Sequence, residues 1–523
     1  MAQYVLVNRR AGMFTPDAKI ASRASVASAV ALIPSAAVIS DHAPEDELAR
    51  RVVVLELDDP AATKLKSELT ADAMLEPLIR RKLHHRRPAE LRDATPMQPR
   101  AGAGGTKYSV TISGSGAPLG DIDVMFYIAD QSGHINAVTK HANSTGKASI
   151  TMAPGQRVAF VEPIPFSGYW IMLAEAPANG ATIVCTPIAP AASGGKGWWH
   201  EATRTGAPQD GNGIRVGVID TGCGPHPNLE HVTLAGVFTN GQALPARQAT
   251  DVAEHGTHTT GLIGARPTKA GDYGGMAPGC ILFHVRVFAS EEDGPSQADL
   301  INAIDTLSRD FQCDLINMSL GGGPPSGAEQ DCIRDALERG TLCICSAGND
   351  AGPVNYPAAY PECVSVSALG KVGWAPDGTF SAGNRPRAPG RMGKDNLFLA
   401  TFSSNGDGLD ACGAGVGIVS TVPDHAGGKD LYMEMDGTSM ASPAVCATLA
   451  AVLSKDPDFA ELPRDRSRSQ AARGLLEDNC VSLGLSRAFQ GLGMPVLGSY
   501  NAPAPDNDPP RKPHKRKAGK RGG

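Results

Sequence analysis

The alternation of short apolar runs with segments of helical spacing, between residues 198 and 494, restricts the fold more than any other feature of the chain. Four apolar runs have the length of strands: 214–219, 281–287, 315–318 and 342–346. Residues 300–307 and 332–337, which lie between them, carry apolar side chains at the spacing of a helix. Strands that alternate with helices predict a mostly parallel sheet covered on both faces, and hence an α/β fold.

Two smaller domains precede this region in the 523-residue chain. Residues 1–88 show the order β-α-β-β-α-β, with the last strand predicted over 74–83, which indicates a ferredoxin-like α+β domain. Residues 106–188 contain short strand candidates between glycine and asparagine turns, a pattern typical of a small β-sandwich. The predicted boundaries are 1–88, a linker at 89–105, 106–188, a linker at 189–197, 198–494 and a tail at 495–523.

The composition excludes some classes of protein. Hydrophobic residues make up 41% of the chain and charged residues 20%, a balance typical of folded globular domains. The net charge of -6 excludes a chain that binds polyanions over its whole surface. Positive charge is concentrated in residues 511–521, where interspersed proline and glycine predict a disordered basic tail. A solubilising role is the favoured interpretation of this tail, and nucleic-acid contact is the alternative.

The cysteines bear on the compartment. Eleven of them, an odd number, lie between Cys185 and Cys480 without a C-x-x-C pair. They predict buried thiols in a reducing compartment and thus a cytoplasmic protein, and the alternative is a secreted protein with a few disulfides. No apolar stretch has the ~18 residues of a membrane helix, so no membrane span is predicted. Residues 24–38 start late and contain Pro34, so no signal peptide is predicted either.

Three short segments carry the candidate chemistry. Asp220 ends an apolar run and is followed by Thr-Gly, and His255 lies in the sequence Glu-His-Gly-Thr-His. Ser439 follows Gly-Thr and precedes an apolar helical face, so it lies near a helix N-terminus, where free N–H groups favour developing negative charge. Each segment by itself is a weak signal, because isolated residues of these types are more often structural.

Together, the three segments resemble those of the subtilisin-like serine protease family. The order is Asp, His, Ser with spacings of 35 and 184 residues, and the resemblance covers residues 213–457. Ser-Ala-Gly-Asn, ending at Asn349, matches the family's oxyanion motif, and residues 317–322 match its substrate-binding strand. The resemblance implies a subtilisin-like catalytic domain and a serine endopeptidase that forms an acyl-enzyme. It implies no cofactor, and because the family's calcium loop is not recognisable in 266–275, no metal is predicted.

The resemblance also implies a role for each matching residue. Ser439 is the nucleophile, His255 the base and Asp220 the group that orients the base. Asn349 and the backbone N–H of Ser439 hold the oxyanion. The residues expected to bind the peptide substrate are Ser319, Leu320, Gly321 and Asn355. Asn355 stands where the family often has glycine in the specificity pocket, which leaves the preferred residue before the cleaved bond open. His258 and Ser442 are expected to be structural.

Residues 1–88 resemble the family's pro-domain in size, order and position, which implies intramolecular inhibition of the protease. Cleavage of the precursor is expected near 84–88 or near 189–197, or not at all. The basic run at 80–87 is either a solvated linker or a processing site. Glu291, Glu292 and Asp293 predict a preference for basic residues upstream of the cleaved bond, with a solvated acidic loop as the alternative.

Two other functions are compatible with parts of the chain. One is a catalytically silent scaffold that binds partners through the β-sandwich and the tail. The complete set Asp220, His255, Ser439 and Asn349 argues against it, because a scaffold needs none of them. The other is a protease that acts on a single dedicated partner protein.

Overall fold

The computed structural model describes residues 1–84, 105–165, 167–191, 194–290, 293–424 and 431–499, together with the backbone of 95–96. Three bodies follow one another along the chain: an N-terminal α+β domain, a β-sandwich and a large α/β domain. None of the helices in these ranges is long and apolar enough to span a bilayer. All eleven cysteines lie within them as free thiols, and all but Cys480 are buried, which confirms the interpretation as buried thiols.

The N-terminal domain is a four-stranded antiparallel sheet in the order β2-β3-β1-β4, with two helices. Its elements are β1 (Ala2–Asn8), α1 (Pro16–Val30), β2 (Val38–His42), β3 (Val52–Leu57), α2 (Asp59–Glu68) and β4 (Ala73–Pro77). Alternate residues of the central strands face opposite sides of the sheet. Leu6 and Leu55 pack with helices α1 and α2, while Val5 and Val54 pack with the α/β domain. The sheet is apolar on both faces because the second face is a docking surface.

The prediction of one strand over 74–83 is wrong. Strand β4 ends at Pro77, and β5 (Lys82–Leu83) belongs to another sheet. Beyond the Tyr4–Pro77 pair the Leu78 N–H still donates to the Gln3 carbonyl (2.8 Å), but the Ile79 carbonyl accepts from the Gln297 N–H (3.0 Å) of the α/β domain. The chain therefore leaves the domain after Leu78 and continues onto the surface of the α/β domain.

The second body consists of two facing sheets, of five and four strands. Its strands are β6 (Thr95–Pro96), β7 (Thr106–Gly114), β8 (Ala117–Pro118), β9 (Asp123–Ala129), β10 (Ile135–His141), β11 (Lys147–Met152), β12 (Arg157–Ile164), β13 (Ala174–Glu175) and β14 (Thr182–Cys185). Phe126 and Val110 lie in the core between the sheets. The body is anchored to the α/β domain where Trp170 packs against Trp374 and the Leu173 N–H donates to the Gly378 carbonyl (2.9 Å).

The α/β domain is built on a nine-stranded, mostly parallel sheet, in the order β17-β16-β18-β15-β19-β21-β22-β23, with β24 also paired to β22. Its helices are α3 (Trp198–Thr203), α4 (His255–Gly264), α5 (Gln297–Arg309), α6 (Gly327–Glu338), α7 (Phe380–Gly383), α8 (Thr438–Leu453), α9 (Pro457–Glu461), α10 (Arg466–Asn479) and α11 (Arg487–Gln490). Its strands are β15 (Arg215–Asp220), β16 (Thr233–Thr239), β17 (Gln242–Leu244), β18 (Ile281–Arg286), β19 (Leu315–Met318), β20 (Leu320–Gly321), β21 (Leu342–Ser346), β22 (Val364–Lys371), β23 (Leu397–Leu399), β24 (Ala411–Ala414), β25 (Ile418–Thr421), β26 (Tyr432–Met435), β27 (Cys480–Val481) and β28 (Met494–Pro495).

The apolar runs noticed in the sequence are the central strands of this sheet. Strands β19 and β21 are buried along their whole length, because helices cover both faces of the sheet. Asp220, at the end of β15, and Asn349, shortly after β21, lie at the carboxyl edge of the sheet. At this edge of an open α/β sheet, functional side chains from separate strands meet.

Candidate active site

Asp220 and His255 form a buried pair at the carboxyl end of β15. His255 is the first residue of α4, and its Nδ1 lies 2.7 Å from Asp220 Oδ1. The same carboxylate accepts hydrogen bonds from the Thr221 N–H (2.8 Å) and the Thr259 hydroxyl (3.1 Å). A carboxylate held in this way orients the ring with its proton on Nδ1, so Nε2 is the basic nitrogen.

Glycine at position 256 allows this arrangement. A Cβ atom on Gly256 would lie 2.1 Å from the Gly222 carbonyl oxygen, so any larger residue would push α4 away from the turn that follows Asp220. The sequence Asp-Thr-Gly after β15 and His-Gly at the start of α4 are thus two sides of one close contact.

Ser439 lies in the first turn of α8 and is completely buried. Its hydroxyl donates to the Ser319 carbonyl (2.9 Å), and the Ser319 hydroxyl donates to the Ser439 carbonyl (2.7 Å). Ser442, one turn further along α8, contacts the Ser319 hydroxyl (3.1 Å). The nucleophile candidate is therefore fixed between a helix N-terminus and the strand predicted to bind substrate.

The carbonyl oxygen of His84 lies between the two groups predicted to hold an oxyanion. It accepts a hydrogen bond from Asn349 Nδ2 (2.6 Å) and a second from the Ser439 N–H (3.2 Å). A Cβ atom on Gly437 would lie 2.4 Å from this oxygen, which explains glycine at that position. The two donors converge on a peptide carbonyl from the N-terminal region of the same chain.

Thr438 determines the orientation of the Asn349 amide. Asn349 Oδ1 accepts hydrogen bonds from the Thr438 N–H (3.0 Å) and the Thr438 hydroxyl (2.9 Å), so Nδ2 faces the His84 carbonyl. No local pattern in the sequence points to Thr438 as a functional residue. Its position next to Ser439 was the available signal, but a contact with a side chain 89 residues earlier has no local signature.

Residues 79–84, the cleft segment, run through the site as the middle strand of three. On one side Leu83 pairs with Leu320 and Lys82 with Gly321, both antiparallel, and the His84 N–H donates to the Ser319 carbonyl (3.3 Å). These pairs contain three of the residues predicted to bind substrate, namely Ser319, Leu320 and Gly321.

The other side of the cleft segment is paired as well. The Arg81 N–H donates to the Pro295 carbonyl (2.9 Å), and Arg80 forms an antiparallel bridge with Ser296. A solvated linker, one interpretation of the basic run, is wrong for this part of it, because Arg81 is 2% exposed and His84 1% exposed. The pairing on both sides holds the segment as an extended peptide substrate is held by strand addition.

The His84 side chain occupies a closed pocket. Its Nδ1 lies 2.7 Å from the Ser346 hydroxyl, and a Cβ atom on Gly321 would lie 2.6 Å from its Cε1. Burial, assisted by the charge of Lys82, lowers the pKa of His84 to about 3, so the ring is neutral. Asn355 lies at the rim of this region, where its Nδ2 donates to Asp350 (3.0 Å) and not to His84.

Several other predicted residues are placed as follows. His258 Nε2 bonds the Ile418 carbonyl (2.9 Å), which ties α4 to the β25–β26 hairpin, and burial lowers its pKa to about 3. Glu291, Glu292 and residues 500–523 of the tail lie outside the described residues, so the acidic-loop hypothesis and the role of the tail stay predictions.

Comparison with known proteins identifies the family of the α/β domain. Residues 211–493 match the Subtilase family. Subtilisin Savinase of Lederbergia lenta is 30% identical over 279 residues, which are 53% of this chain and 90% of that protein. The M-protease of Shouchella clausii is 30% identical over 279 residues, and the match covers 64% of its length, somewhat less than two thirds.

The names of the relatives refer to both intracellular and extracellular proteases. The major intracellular serine protease of Bacillus subtilis is 30% identical over 290 residues, 51% of this chain and 81% of that protein. The minor extracellular protease Epr of the same organism is 30% identical over 301 residues, so the compartment of this chain stays a prediction. The motif order, the α/β sheet and the matched residues lead to one conclusion: the chain belongs to the subtilase family of serine endopeptidases.

Proposed function

We propose that the chain hydrolyses peptide bonds through Ser439, His255 and Asp220, with Asn349 and the Ser439 N–H as oxyanion donors. The observation that carries this proposal is the His84 carbonyl oxygen, which both donors bond at 2.6 and 3.2 Å beside the Asp220–His255 pair. A carbonyl in this position is polarised, and the donors are already aimed at the atom that becomes negative.

The proposed steps begin with rotation of the Ser439 hydroxyl from the Ser319 carbonyl, to which it donates (2.9 Å), toward His255 Nε2. The Ser439 oxygen attacks the carbonyl carbon, and its proton passes to His255 Nε2. Asp220 stabilises the resulting imidazolium, while Asn349 and the Ser439 N–H hold the oxyanion. His255 then donates the proton to the leaving amine as the C–N bond breaks, which leaves an acyl-enzyme that water hydrolyses.

We also propose that residues 1–84 are a pro-domain that inhibits the protease until it leaves, and that the bond cut in the precursor is His84–His85. Three features support this proposal: the pairing of the cleft segment on both sides, the position of the His84 carbonyl, and the docking of the N-terminal sheet on the α/β domain. The linker at 189–197 is less suited, because its residues bond the loop around Gly271 and Gly274, away from Ser439.

Intact mass and fluorophosphonate labelling test both parts. The wild-type chain is expected to react with the probe and to yield a fragment that begins at His85, whereas Ser439→Ala stays at full length and unlabelled. If the wild type is labelled but stays intact, the processing proposal fails and the enzymatic proposal stands. A wild type that is neither labelled nor cut, even after the N-terminal domain is removed by limited proteolysis, removes the enzymatic proposal.

A further inference from the structure

The Arg81 side chain is buried against the α/β domain although it carries a charge. Arg81 lies three residues before His84, so it is the fourth residue before the bond proposed to be cut. Its side chain and that of Glu329 are both 0% exposed, and they form an ion pair. A charged side chain is seldom buried completely unless a partner is built for it, so the surroundings of Arg81 define a site.

The contacts of Arg81 fit a guanidinium group and no other side chain. Arg81 Nε donates to Glu329 Oε1 (3.3 Å) and Nη2 donates to Glu329 Oε2, a two-point pair with the planar carboxylate. Arg81 Nη1 donates to the carbonyls of Gly322 and Pro324, the latter at 2.9 Å. We call Glu329, Tyr360 and these two carbonyls the arginine pocket.

The carboxylate of the arginine pocket is held in place independently of Arg81. The Tyr360 hydroxyl lies 3.0 Å from Glu329 Oε2, and it also bonds the Ser326 carbonyl (2.9 Å). Burial and the nearby Glu329 raise the pKa of Tyr360, so its hydroxyl remains a proton donor. Glu329 belongs to α6, whose first turn is fixed by the Ser326 cap (3.1 Å). The pocket therefore belongs to the α/β domain and is available to other peptides that occupy the cleft.

We propose that Glu329 determines substrate specificity: the protease selects peptides with arginine as the fourth residue before the cleaved bond. This inference rests on the proposed function, because it takes the cleft segment as the template for a substrate. An uncharged side chain in the pocket leaves a buried carboxylate without its counter-ion, which is strongly unfavourable. Lysine supplies the charge but lacks the planar fork, so it is expected to rank between arginine and an uncharged residue.

The test compares peptides that differ only at this position. The peptides are acetyl-Arg-Lys-Leu-His with a fluorogenic amide, the same peptide with citrulline in place of arginine, and the same with lysine. Citrulline keeps the shape of arginine and removes its charge. The full chain is used, because any competition from its own cleft segment lowers kcat/KM for all the peptides by the same factor and leaves their ratios unchanged.

In the unchanged chain, kcat/KM for arginine is expected to exceed that for citrulline at least about 30-fold, the size of effect found when one member of a buried charge pair is removed. In Glu329→Gln the ratio is expected to fall about tenfold or more, because the amide still accepts from Tyr360 but no longer neutralises a guanidinium. Glu362→Gln is the matched control: Glu362 binds Arg334 (2.7 Å) on the outer side of α6, so the ratio is expected to stay unchanged.

An arginine-to-citrulline ratio near one in the unchanged chain, or equal ratios in the two variants, overturns the arginine pocket while the proposed function stands. If Ser439 does not react with fluorophosphonate and no peptide is cut, the proposed function fails instead. In that case a binding measurement tests the arginine pocket. The free acid Arg-Lys-Leu-His must bind the full chain more tightly than its citrulline analogue does. Equal affinity overturns the inference.

Discussion

Single hydrogen bonds position the groups around the Asn349 amide. The Thr438 N–H and hydroxyl both donate to Asn349 Oδ1, so Thr438 is a positioning residue that acts through Asn349. The hydroxyl also accepts from the Gly348 N–H (3.1 Å), which fixes the turn before Asn349. The proposed oxyanion donor is therefore oriented by the residue next to the proposed nucleophile.

The Thr438→Val substitution removes the hydroxyl and keeps the shape of the side chain. We expect kcat to fall about 3- to 10-fold with little change in KM, the equivalent of one neutral hydrogen bond. Thr438→Ser should restore kcat, because it restores the donor. Thr448→Val is a matched control in the same helix, since its hydroxyl bonds only within the helix (2.8 Å to the Ala444 carbonyl). A rise in KM as large as the fall in kcat would contradict a positioning role.

Removal of Asn349 should have a larger effect than removal of Thr438. Asn349→Ala is expected to lower kcat about 100- to 1,000-fold, the magnitude known for loss of this donor in subtilisin itself. Fluorophosphonate labelling should slow in parallel, while binding of the peptide Arg-Lys-Leu-His should change little. A variant that keeps wild-type kcat would show that the His84 carbonyl marks no oxyanion site.

The His84 side chain should make docking of the N-terminal domain dependent on pH. Burial lowers its pKa from 6.5 to about 3, so the bound form must be neutral. Below pH 6.5 the released domain takes up a proton on His84, whereas the bound domain does not. The affinity of the domain is therefore complete above pH 6.5 and falls as the pH drops toward 3. Between pH 7.5 and 5.0 the affinity of the released domain is expected to fall about 30-fold more for the wild type than for His84→Leu. Dissociation constants of the self-processed chain, measured by dilution, check this prediction, and equal falls in the two proteins contradict it.

At the scale of the elements, β4 of the N-terminal domain stabilises the start of α6. The Glu76 carboxylate accepts hydrogen bonds from the Ser326 hydroxyl (2.7 Å) and from the N–H groups of Gly327 (2.9 Å) and Ala328 (3.3 Å). A negative charge at a helix N-terminus is favourable, and here it comes from another domain. The same helix carries Glu329, so one element contacts both strand β4 of the N-terminal domain and the Arg81 side chain.

Glu76→Gln should therefore weaken docking of the N-terminal domain without unfolding either domain. The helix-terminal charge contributes about 0.5–2 kcal/mol, so the dissociation constant should rise roughly 2- to 30-fold. Glu56→Gln, at an exposed position near the end of β3, is the matched control and should leave the dissociation constant unchanged. Equal dissociation constants of the N-terminal domain for Glu76→Gln and Glu56→Gln would contradict this prediction.

At the scale of the whole molecule, buried ion pairs join the N-terminal domain to helices α5 and α6. Arg50 lies 2.9 Å from Asp331 and 3.3 Å from Asp335, and Arg10 lies 3.7 Å from Asp305. When the domain leaves, these aspartates lose two arginines together. The interface thus combines the apolar face of the N-terminal sheet with a charge network that only the docked state completes.

Arg50→Met should raise the dissociation constant of the N-terminal domain about 100-fold, because it removes the arginine that pairs with Asp331 and one of the cations around Asp335, which keeps Arg339. Arg51→Ala is the matched control, since Arg51 pairs with Asp41 inside its own domain. The dependence of peptidase activity on enzyme dilution measures the constant. Similar dissociation constants for Arg50→Met and Arg51→Ala would show that the ion-pair network does not contribute to docking.

Acid should release the domain by the same network. Burial alone would raise the pKa of Asp305, but Arg339, Arg10 and Arg50 hold it below its usual range. On release Arg339 stays beside Asp305 while Arg10 and Arg50 leave, so the pKa of Asp305 is lower in the docked than in the released state, and the affinity that this difference contributes is lost at acid pH. Release through Asp305 is therefore expected at a lower pH than release through His84.

The sequence by itself determined the class of the α/β domain and the identity of its chemical groups. The central strands are buried on both faces, so their apolar runs are readable without any knowledge of their neighbours. Asp220, His255 and Ser439 each stand in a short motif, because a close approach such as that of Gly256 to Gly222 requires glycine next to the functional residue. Information of this kind is local, and a single chain displays it.

Only the tertiary structure decided which segment of the chain lies against Ser439 and what surrounds its side chains. Arg81 and Glu329 are 248 residues apart, and His84 and Ser346 are 262 apart. Such pairs leave no period and no motif, so the basic run was compatible with a linker and Glu329 with an ordinary helix surface. The physical reason is that a charged side chain selects one partner only when packing excludes water from it. Burial of that kind arises where distant segments of the chain meet.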